Sequence, residues 1–487
     1  MKAKILLFLL IATFVTLSAV CENPFLYNGL YYYILPDADS KVSVSSHNGS
    51  ISGALTIPSH VSNNNTTYEV VQIGHHAFEG CTSLTSVTIP NSVTYIGAYS
   101  FSGCTSLMSI NIPNSVKSIE HYAFQNCRAL TSIQIPSSVT EILSGVFKGC
   151  SGLTGDLTIH NFINTISDYA FEGCTGFTSL TIGESVYGLN KSAFEGCTGI
   201  ESVIWNAKKG SDNSKDTDSP FYNNTRIKTF IFGDAVEHIP SRLCPNMSSL
   251  ESLTIPSSVT SIGQDAFIGC IGLTSVTWNA KTCVLPYSNS KTPFYNMTGL
   301  KTFVIGEDVE IIPRALCYGC SGLTSVTISN SVTEIGIHSF NGCSGLTSVT
   351  IPNSVTVIGG SAFDGCSGLT SIYTKIENPQ NVSYTNASSI FNNVNKTTCM
   401  LYVPKGTKEV YKITNPWKEF INIIEVDYEA MNCDVNCDGA VTSSDVTALY
   451  NYLLNDDETF IATGDVDGDG NITAADITAI YNILLGN

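Results

Sequence analysis

Apolar residues recur along most of the chain with a fixed period, and each period contains one short alternating stretch. Val87 and Ile89 flank Thr88, and Pro90 follows directly, so this pattern predicts a short strand that the proline ends. One such period cannot cover its own apolar side. The periods are therefore expected to stack into a solenoid with a continuous core and a parallel sheet along one face.

An aromatic position marks the period and recurs thirteen times. Its spacing is 23 or 24 residues, except for two spacings of 27 that follow Phe194 and Phe267. Each long spacing contains a Trp-Asn-Ala-Lys segment, at 205–208 and at 278–281. Because both insertions occur at the same position within the repeat, they are expected to be loops on one edge of the solenoid. The marked positions are Phe78, Phe101, Phe124, Phe147, Phe171, Phe194, Phe221, Cys244, Phe267, Phe294, Cys317, Phe340 and Phe363.

Most of the 17 cysteines follow the same period, three residues after the aromatic position, as Cys81 and Cys104 do. Stacked side chains point in parallel, whereas a disulfide needs a closer approach of the Cβ atoms. Three periods place Asn224, Met247 or Met297 at this position. The column is therefore interpreted as buried, reduced thiols in a position used for packing and hydrogen bonding.

Charge separates the end of the chain from the rest. The chain has 487 residues, 43% of them hydrophobic and 13% charged, a balance typical of a folded protein with a large core. Its net charge of −18 gives no basic footprint for nucleic acid. From Met431 onward there are ten acidic residues and no Lys or Arg. That tail is expected to bind cations.

The N-terminus has the layout of a secretory signal peptide over residues 1–21. Lys2 and Lys4 precede an apolar run from Ile5 to Val20. The run is too short for a membrane helix, and no later stretch reaches about 20 apolar residues, so no transmembrane segment is expected. Ordinary cleavage is favoured over a lipid anchor at Cys21, because Val20 fits the lipidation pattern poorly. The protein is expected to be secreted or held at the cell surface.

The recurring Gly-Cys-x-x-Leu-Thr-Ser-Val-Thr-Ile-Pro sequence resembles the BspA-like leucine-rich repeat family of bacterial surface proteins. The resemblance covers about Ile73 to Ile372. Gly29 to Val71 resembles the family's N-terminal β cap, and Leu401 to Ile424 resembles its closing segment. The resemblance implies a rod that is displayed outside the cell and binds proteins, host matrix or glycans. The members of this family are not known as catalysts.

The face that would bind is not obvious from the repeats, because their outward strand residues are small and uncharged. They lack the aromatic and arginine anchors of usual hot spots. The two insertions, with Tyr222, Tyr287 and Tyr295 nearby, are a better candidate for a binding edge, whereas Trp205 and Trp278 are expected in the core. The outward residues include Ser86, Thr88, Ser109, Asn111, Ser132, Gln134, Ser252, Thr254, Ser348 and Thr350.

The acidic tail contains two copies of one segment, 31 residues apart. Oxygen side chains stand at loop positions 1, 3, 5 and 12, glycine stands at position 6, and position 7 offers a backbone carbonyl, which is the arrangement of a calcium loop. The sequence therefore predicts two bound Ca²⁺ ions. The predicted ligands are Asp434, Asn436, Asp438, Ala440 and Asp445 in the first copy, and Asp465, Asp467, Asp469, Asn471 and Asp476 in the second.

A helix is predicted after each loop, because Val446, Leu449 and Leu453 share one helical face, as Ile477 and Ile480 do in the second copy. A calcium loop followed by a helix, with Asp at position 12, resembles a type I dockerin over Cys433 to Gly486. The resemblance implies a cohesin of a scaffolding protein as the partner. It also implies that loop positions 10 and 11 face the cohesin. These positions hold Ser443, Ser444, Ala474 and Ala475.

Cys433 and Cys437 flank part of the first loop, and they form either a local disulfide or two free thiols. The chain has no paired-histidine metal motif and no nucleophile elbow, so no catalytic residue is predicted.

The expected fold is a β-rich leucine-rich repeat solenoid of about 13 repeats with an N-terminal β cap and a small all-α calcium-binding dockerin. The expected domains are 22–72 (cap), 73–400 (repeats), 401–430 (closing segment and linker) and 431–487 (dockerin). The expected function is that of an exported, non-catalytic binding protein with an unknown protein or glycan ligand, attached to a cohesin-bearing scaffold in a cellulosome-like context. The alternatives are a free-standing adhesin and an accessory part of a glycoside-hydrolase system.

Overall fold

The structure is a computed structural model that describes residues 24–36, 40–46 and 51–426, together with Tyr428, Val446, Leu449 and Ile477. The predicted signal peptide lies outside these residues. The chain divides into two compact units, Met1–Leu300 and Lys301–Asn487. Within the described ranges, no helix has both the length and the hydropathy needed to cross a membrane.

A largely antiparallel sheet precedes the repeats. Its strands are β1 (Phe25–Tyr27), β2 (Leu30–Ile34), β3 (Lys41–Ser45), β5 (His60–Asn63) and β6 (Thr66–Ile73). β1 pairs with β2 and β2 with β3 in antiparallel fashion, β5 pairs antiparallel with β6, and β3 pairs parallel with β6. Tyr32, Val42 and Val70 are buried in this sheet.

Almost every repeat contributes one main strand to a parallel arrangement. Apolar and polar residues alternate, so that Val203 and Trp205 are buried while Ile204 between them is exposed. In the first unit the main strands are β4 (Gly53–Thr56), β7 (Leu84–Thr88), β9 (Ser109–Asn111), β12 (Gly155–Ile159), β14 (Phe177–Ile182), β16 (Ser202–Trp205), β17 (Thr229–Phe232), β19 (Ser252–Ile255) and β21 (Ser275–Trp278). In the second unit they are β22 (Thr302–Ile305), β24 (Ser325–Thr327), β26 (Ser348–Ile351), β28 (Ser371–Thr374), β30 (Met400–Pro404) and β31 (Asn422–Val426).

A second column of two-residue strands follows the main strands in most coils, whereas the two coils with insertions have only isolated bridges at Lys209 and Val284. Helix is scarce in residues 51–426. The column comprises β8 (Tyr95–Ile96), β10 (Ser118–Ile119), β11 (Glu141–Ile142), β13 (Thr165–Ile166), β15 (Gly188–Leu189), β18 (His238–Ile239) and β20 (Ser261–Ile262), then β23 (Ile311–Ile312), β25 (Glu334–Ile335), β27 (Val357–Ile358) and β29 (Ser383–Tyr384) in the second unit. Within residues 51–426 the helices are α1 (Lys408–Ile413) and the 3₁₀ turns η1 (Asp216–Asp218), η2 (Asn289–Lys291), η3 (Pro379–Asn381), η4 (Ala387–Ser389) and η5 (Trp417–Glu419).

The predicted aromatic position forms a stack in the interior. The rings of Phe101 and Phe124 are parallel, with centroids 5.3 Å apart. In the second unit, Phe391 continues the stack beyond Phe363 at 5.5 Å. The repeat therefore extends one coil further than the thirteen predicted from the sequence, because Phe391 follows a longer spacing that the pattern did not include.

The thiol column has the predicted hydrogen-bonding role. The thiol of Cys104 donates to the carbonyl of Phe78 in the preceding coil at 3.1 Å, and Cys127 donates to Phe101 at 3.2 Å. Asn224 replaces a thiol in this column, and its Nδ2 donates to the Phe194 carbonyl at 2.9 Å. Each Cys or Asn donor satisfies a buried carbonyl of the preceding coil, so these side chains serve hydrogen bonding between coils rather than disulfide formation.

Alkaline pH is expected to destabilise the protein through these thiols. Burial raises the pKa of Cys104, Cys197 and Cys270 to about 12, from the ordinary value of 9.0. Below pH 9 both folded and unfolded states hold the proton, so the thiols add no pH dependence. Above it only the unfolded state loses the proton, so the free energy of unfolding falls from about pH 9 to about pH 12.

Chemical denaturation at several alkaline pH values, followed by circular dichroism, measures this slope. In parallel, Ellman's reagent should leave Cys104 and Cys197 unmodified in the native protein and modify them in guanidinium. Rapid native modification of these thiols would contradict their placement in the core.

One predicted main strand does not form. In the described part of the chain, the coil that contains Ser132 and Gln134 is the one repeat without a main strand. The next coil is the single repeat of 24 residues, and the pairing of its strand β12 with β14 shifts register between Gly155 and Asp156. The expectation of a strand at Ser132 and Gln134 was therefore wrong, because residues 132–135 make no backbone hydrogen bonds with the described strands of the adjacent coils.

Candidate functional site

The predicted calcium ligands and the four residues predicted to face a cohesin lie outside the described residues. Three positions after the loops are described. Val446 and Leu449 are helical and buried, and Ile477 is helical and half-buried. At these positions the prediction of helix is confirmed, and two members of the first apolar face, Val446 and Leu449, are buried.

The donor set of both loops consists of oxygen atoms. Carboxylates and an amide at alternate positions suit a hard cation that accepts six to eight oxygen ligands. Gly439 and Gly470 stand where the loop must turn sharply. Thiolate and imidazole donors, which favour zinc or copper, do not contribute to the repeated set. The residues present therefore fit calcium.

The outward face of the main strands is exposed as predicted, but it is not uniformly small. Ser109, Thr254 and Thr350 are exposed. Ile231, on the same face, is 50% exposed. In the second unit Tyr373 and Tyr402 stack with ring centroids 4.5 Å apart. The expectation of a face without aromatic residues was therefore wrong at β28 and β30, because a strand position that faces solvent does not restrict the size of its side chain.

The tryptophans of the two insertions are core residues, as predicted. Trp205 and Trp278 are 1% and 0% exposed, and each ends a main strand. The extra residues follow the Trp-Asn-Ala-Lys segments and form loops that contain η1 and η2. Tyr287 is 93% exposed and Tyr295 36% exposed in the second loop.

A serine, a histidine and an aspartate meet at the first insertion loop, which the sequence analysis did not anticipate. His238 Nδ1 lies 2.8 Å from Ser261 Oγ, and Nε2 lies 3.2 Å from Asp212 Oδ1. Burial raises the pKa of Asp212, but hydrogen bonds from Ser241 and His238 outweigh this and hold the pKa below its ordinary value. Ser261 lies within β20 and not at a strand-to-helix elbow. These contacts anchor the loop to the second column.

An ion-pair cluster joins the two insertion loops to the coils beside them. Arg242 contacts Asp216 of the first loop at 3.0 Å and Asp265 at 2.8 Å, and Lys291 of the second loop contacts Asp265 at 2.9 Å. The Asp265 side chain is 6% exposed, so this pairing compensates a buried charge. Its members are 23 to 26 residues apart in sequence, one repeat or slightly more, and sequence periodicity alone gives no signal for their charges.

Comparison with known proteins agrees with this architecture. The BspA type leucine rich repeat region family matches residues 71–201, 154–274 and 288–413, and the dockerin type I domain family matches residues 432–485. Among curated proteins, none matches the chain.

Solved structures resemble the fold. A leucine-rich repeat protein from Bacteroides ovatus is 26% identical, with a TM-score of 0.50, and the match covers 83% of this chain and 100% of that chain. A leucine rich cell surface protein from Faecalibacterium prausnitzii is 28% identical, with a TM-score of 0.43, covering 73% of this chain and 96% of that chain.

The properties of the two matching families indicate what kind of protein combines them. Leucine-rich repeat solenoids and dockerins are typically non-enzymatic, and proteins that carry them are typically extracellular or surface-associated. Type I dockerins generally bind calcium, and their partner is a cohesin. The combination is that of a binding protein with cohesin-directed attachment. The chain belongs to the BspA type leucine rich repeat family and carries a type I dockerin domain at its C-terminal end.

Proposed function

We propose that this protein is exported, that its solenoid binds a protein or glycan, and that its dockerin fixes it to a cohesin-bearing scaffold in a polysaccharide-degrading, cellulosome-like assembly. In this proposal residues 22–430 form the capped solenoid and residues 431–487 form the plug. One calcium ion in each loop holds the plug in its folded shape, with Asp434 and Asp465 at the first ligand positions.

The internal duplication of the tail is the observation that carries the proposal. Aligning 434–454 with 465–485 gives 12 identities in 21 positions, and all the carboxylate ligands at positions 1, 5 and 12 are among them. A solvated acidic tail needs no such recurrence, whereas a calcium loop needs an oxygen donor at each of these positions. Position pairs 443–444 and 474–475 differ, so the two copies would contact a cohesin unequally.

Capture of the full-length protein on immobilised type I cohesins tests the attachment. We expect at least one cohesin to retain the protein in calcium and to release it when a chelator is added, because the plug loses its fold without its ions. Failure of every cohesin to retain the protein, with calcium bound normally, would instead favour the free-standing adhesin. Release of sugars from polysaccharides by the purified protein would favour a hydrolase component.

A further inference from the structure

The coil without a main strand opens a cleft of about 500 Å³ in the main-strand face of the first unit. Its volume lies within the range of small-ligand sites, roughly 300 to 1,000 Å³. Ile133 and Ile135 are half-buried in it, although the equivalent Val87 and Ile89 are each 3% exposed. The coils have therefore separated at this point.

Backbone groups in the cleft have no partner in the neighbouring coils. The backbone of Thr131 is hydrogen-bonded to both adjacent coils. Its N–H donates to the carbonyl of Met108 at 3.4 Å, and its carbonyl accepts from the N–H of Thr154 at 3.3 Å. In the described structure, no backbone hydrogen bond joins residues 132–135 to either adjacent coil. Several N–H and C=O groups are thus open to a ligand in a place where other coils use them for the sheet.

The coil beside the cleft departs from the other repeats at several positions. Asp156 stands where the other twelve repeats have Ser or Thr. His160 stands in the position of Pro90, and Phe162 in the position of Ser92. All three residues line the cleft, and they belong to the repeat with the extra Gly155. One coil thus combines a longer backbone with side chains of different chemistry.

These side chains are held in place by their neighbours. Asp156 Oδ1 accepts hydrogen bonds from Ser179 Oγ at 2.6 Å and from Thr178 Oγ1 at 3.3 Å, which orients an exposed carboxylate. The rings of His160 and Phe162 stack with centroids 5.4 Å apart. The site is therefore ordered before any ligand binds, which lowers the entropic cost of binding.

We infer that this cleft binds a neutral saccharide. Asp156, Gln134 and Asn114 offer planar polar groups, and the open backbone groups add donors and acceptors, which together match a ligand rich in hydroxyls. Phe162 offers an aromatic surface for the apolar side of a sugar ring. Of the described residues lining the cleft, none is Lys or Arg, so an anionic ligand would meet no permanent positive charge beside Asp156. The inference deepens the proposed function by naming a site and a ligand class for the solenoid.

Affinity electrophoresis of the full chain in gels containing galactomannan, arabinoxylan, xyloglucan or soluble starch tests the inference. We expect at least one polysaccharide to retard the protein, and Asp156→Ser or Phe162→Ser to weaken binding at least tenfold. Asp234→Ser, which removes an exposed carboxylate from another coil, should change binding less than twofold. Thermal unfolding of each variant checks that the fold is kept, and deletion of Gly155, which restores a 23-residue coil, should also abolish retardation.

Three results would overturn the inference. They are the absence of retardation by all four polysaccharides, equal retardation of the Asp156→Ser and Asp234→Ser variants, and retention on gelatin in place of any saccharide, which would assign the cleft to an extended peptide. Cohesin capture is measured separately and does not involve the cleft. Loss of capture therefore counts against attachment through the dockerin, and loss of retardation counts against the cleft.

Discussion

Phe124→Ala is expected to lower the free energy of unfolding by about 3–5 kcal/mol. Phe124 is fully buried, with Phe101 at 5.3 Å on one side and Phe147 at 5.7 Å on the other. Removing its ring leaves a cavity between coils whose backbones are hydrogen-bonded to each other, so the walls cannot close on it. Because each coil packs on its neighbours, the defect also weakens the coupling along the first unit.

Guanidinium denaturation of the variant and the wild type measures this effect. Ile271→Ala is the matched control, because Ile271 is a large apolar residue that is 78% exposed, and its loss should change the free energy by no more than about 0.5 kcal/mol. A loss below about 1 kcal/mol for Phe124→Ala would show that the ring column is not a principal source of stability.

Replacing Asp434 and Asp465 together by Ala is expected to abolish calcium uptake by the tail and, with it, retention on a cohesin. Each substitution removes the carboxylate at position 1 of its loop, so each cage loses a charged ligand. Since ion binding and folding of such a loop are coupled, the plug should unfold while the solenoid keeps its own stability. Isothermal titration with calcium, followed by cohesin retention, measures both consequences.

The chain offers a matched control for this experiment. Asp456 and Asp457 lie between the two loops, so Asp456→Ala with Asp457→Ala removes the same charge and no predicted ligand. That variant should bind calcium and cohesin as the wild type does. Calcium uptake of wild-type affinity by the Asp434 and Asp465 variant would refute the assignment of the loops, and a general effect of charge would appear equally in both variants.

The polar residues of the repeats show where sequence reasoning succeeded and where it fell short. Because alternation in a strand places every second side chain outward, the exposure of Ser109 and Thr350 followed from the pattern. The same argument predicted a strand at Ser132 and failed, because an isolated repeat contains no information about the backbone of the coil that should pair with it. The contacts of Arg242 with Asp216 and Asp265 were equally invisible, since the pairing of charges depends on loops folding over adjacent coils.

The amino-acid sequence by itself determined the coil length, the buried aromatic and thiol columns, and the repeated oxygen donors of the tail. Each of these features depends on local periodicity. A repeat can bury its apolar side only by packing on the repeats next to it, so the periodic pattern predicts a stack of coils. Only the tertiary structure decided where the stacking opens. Gly155 adds a residue to one coil, and whether the neighbouring backbone pairs, slips or separates is settled by hydrogen bonds between residues a whole repeat apart.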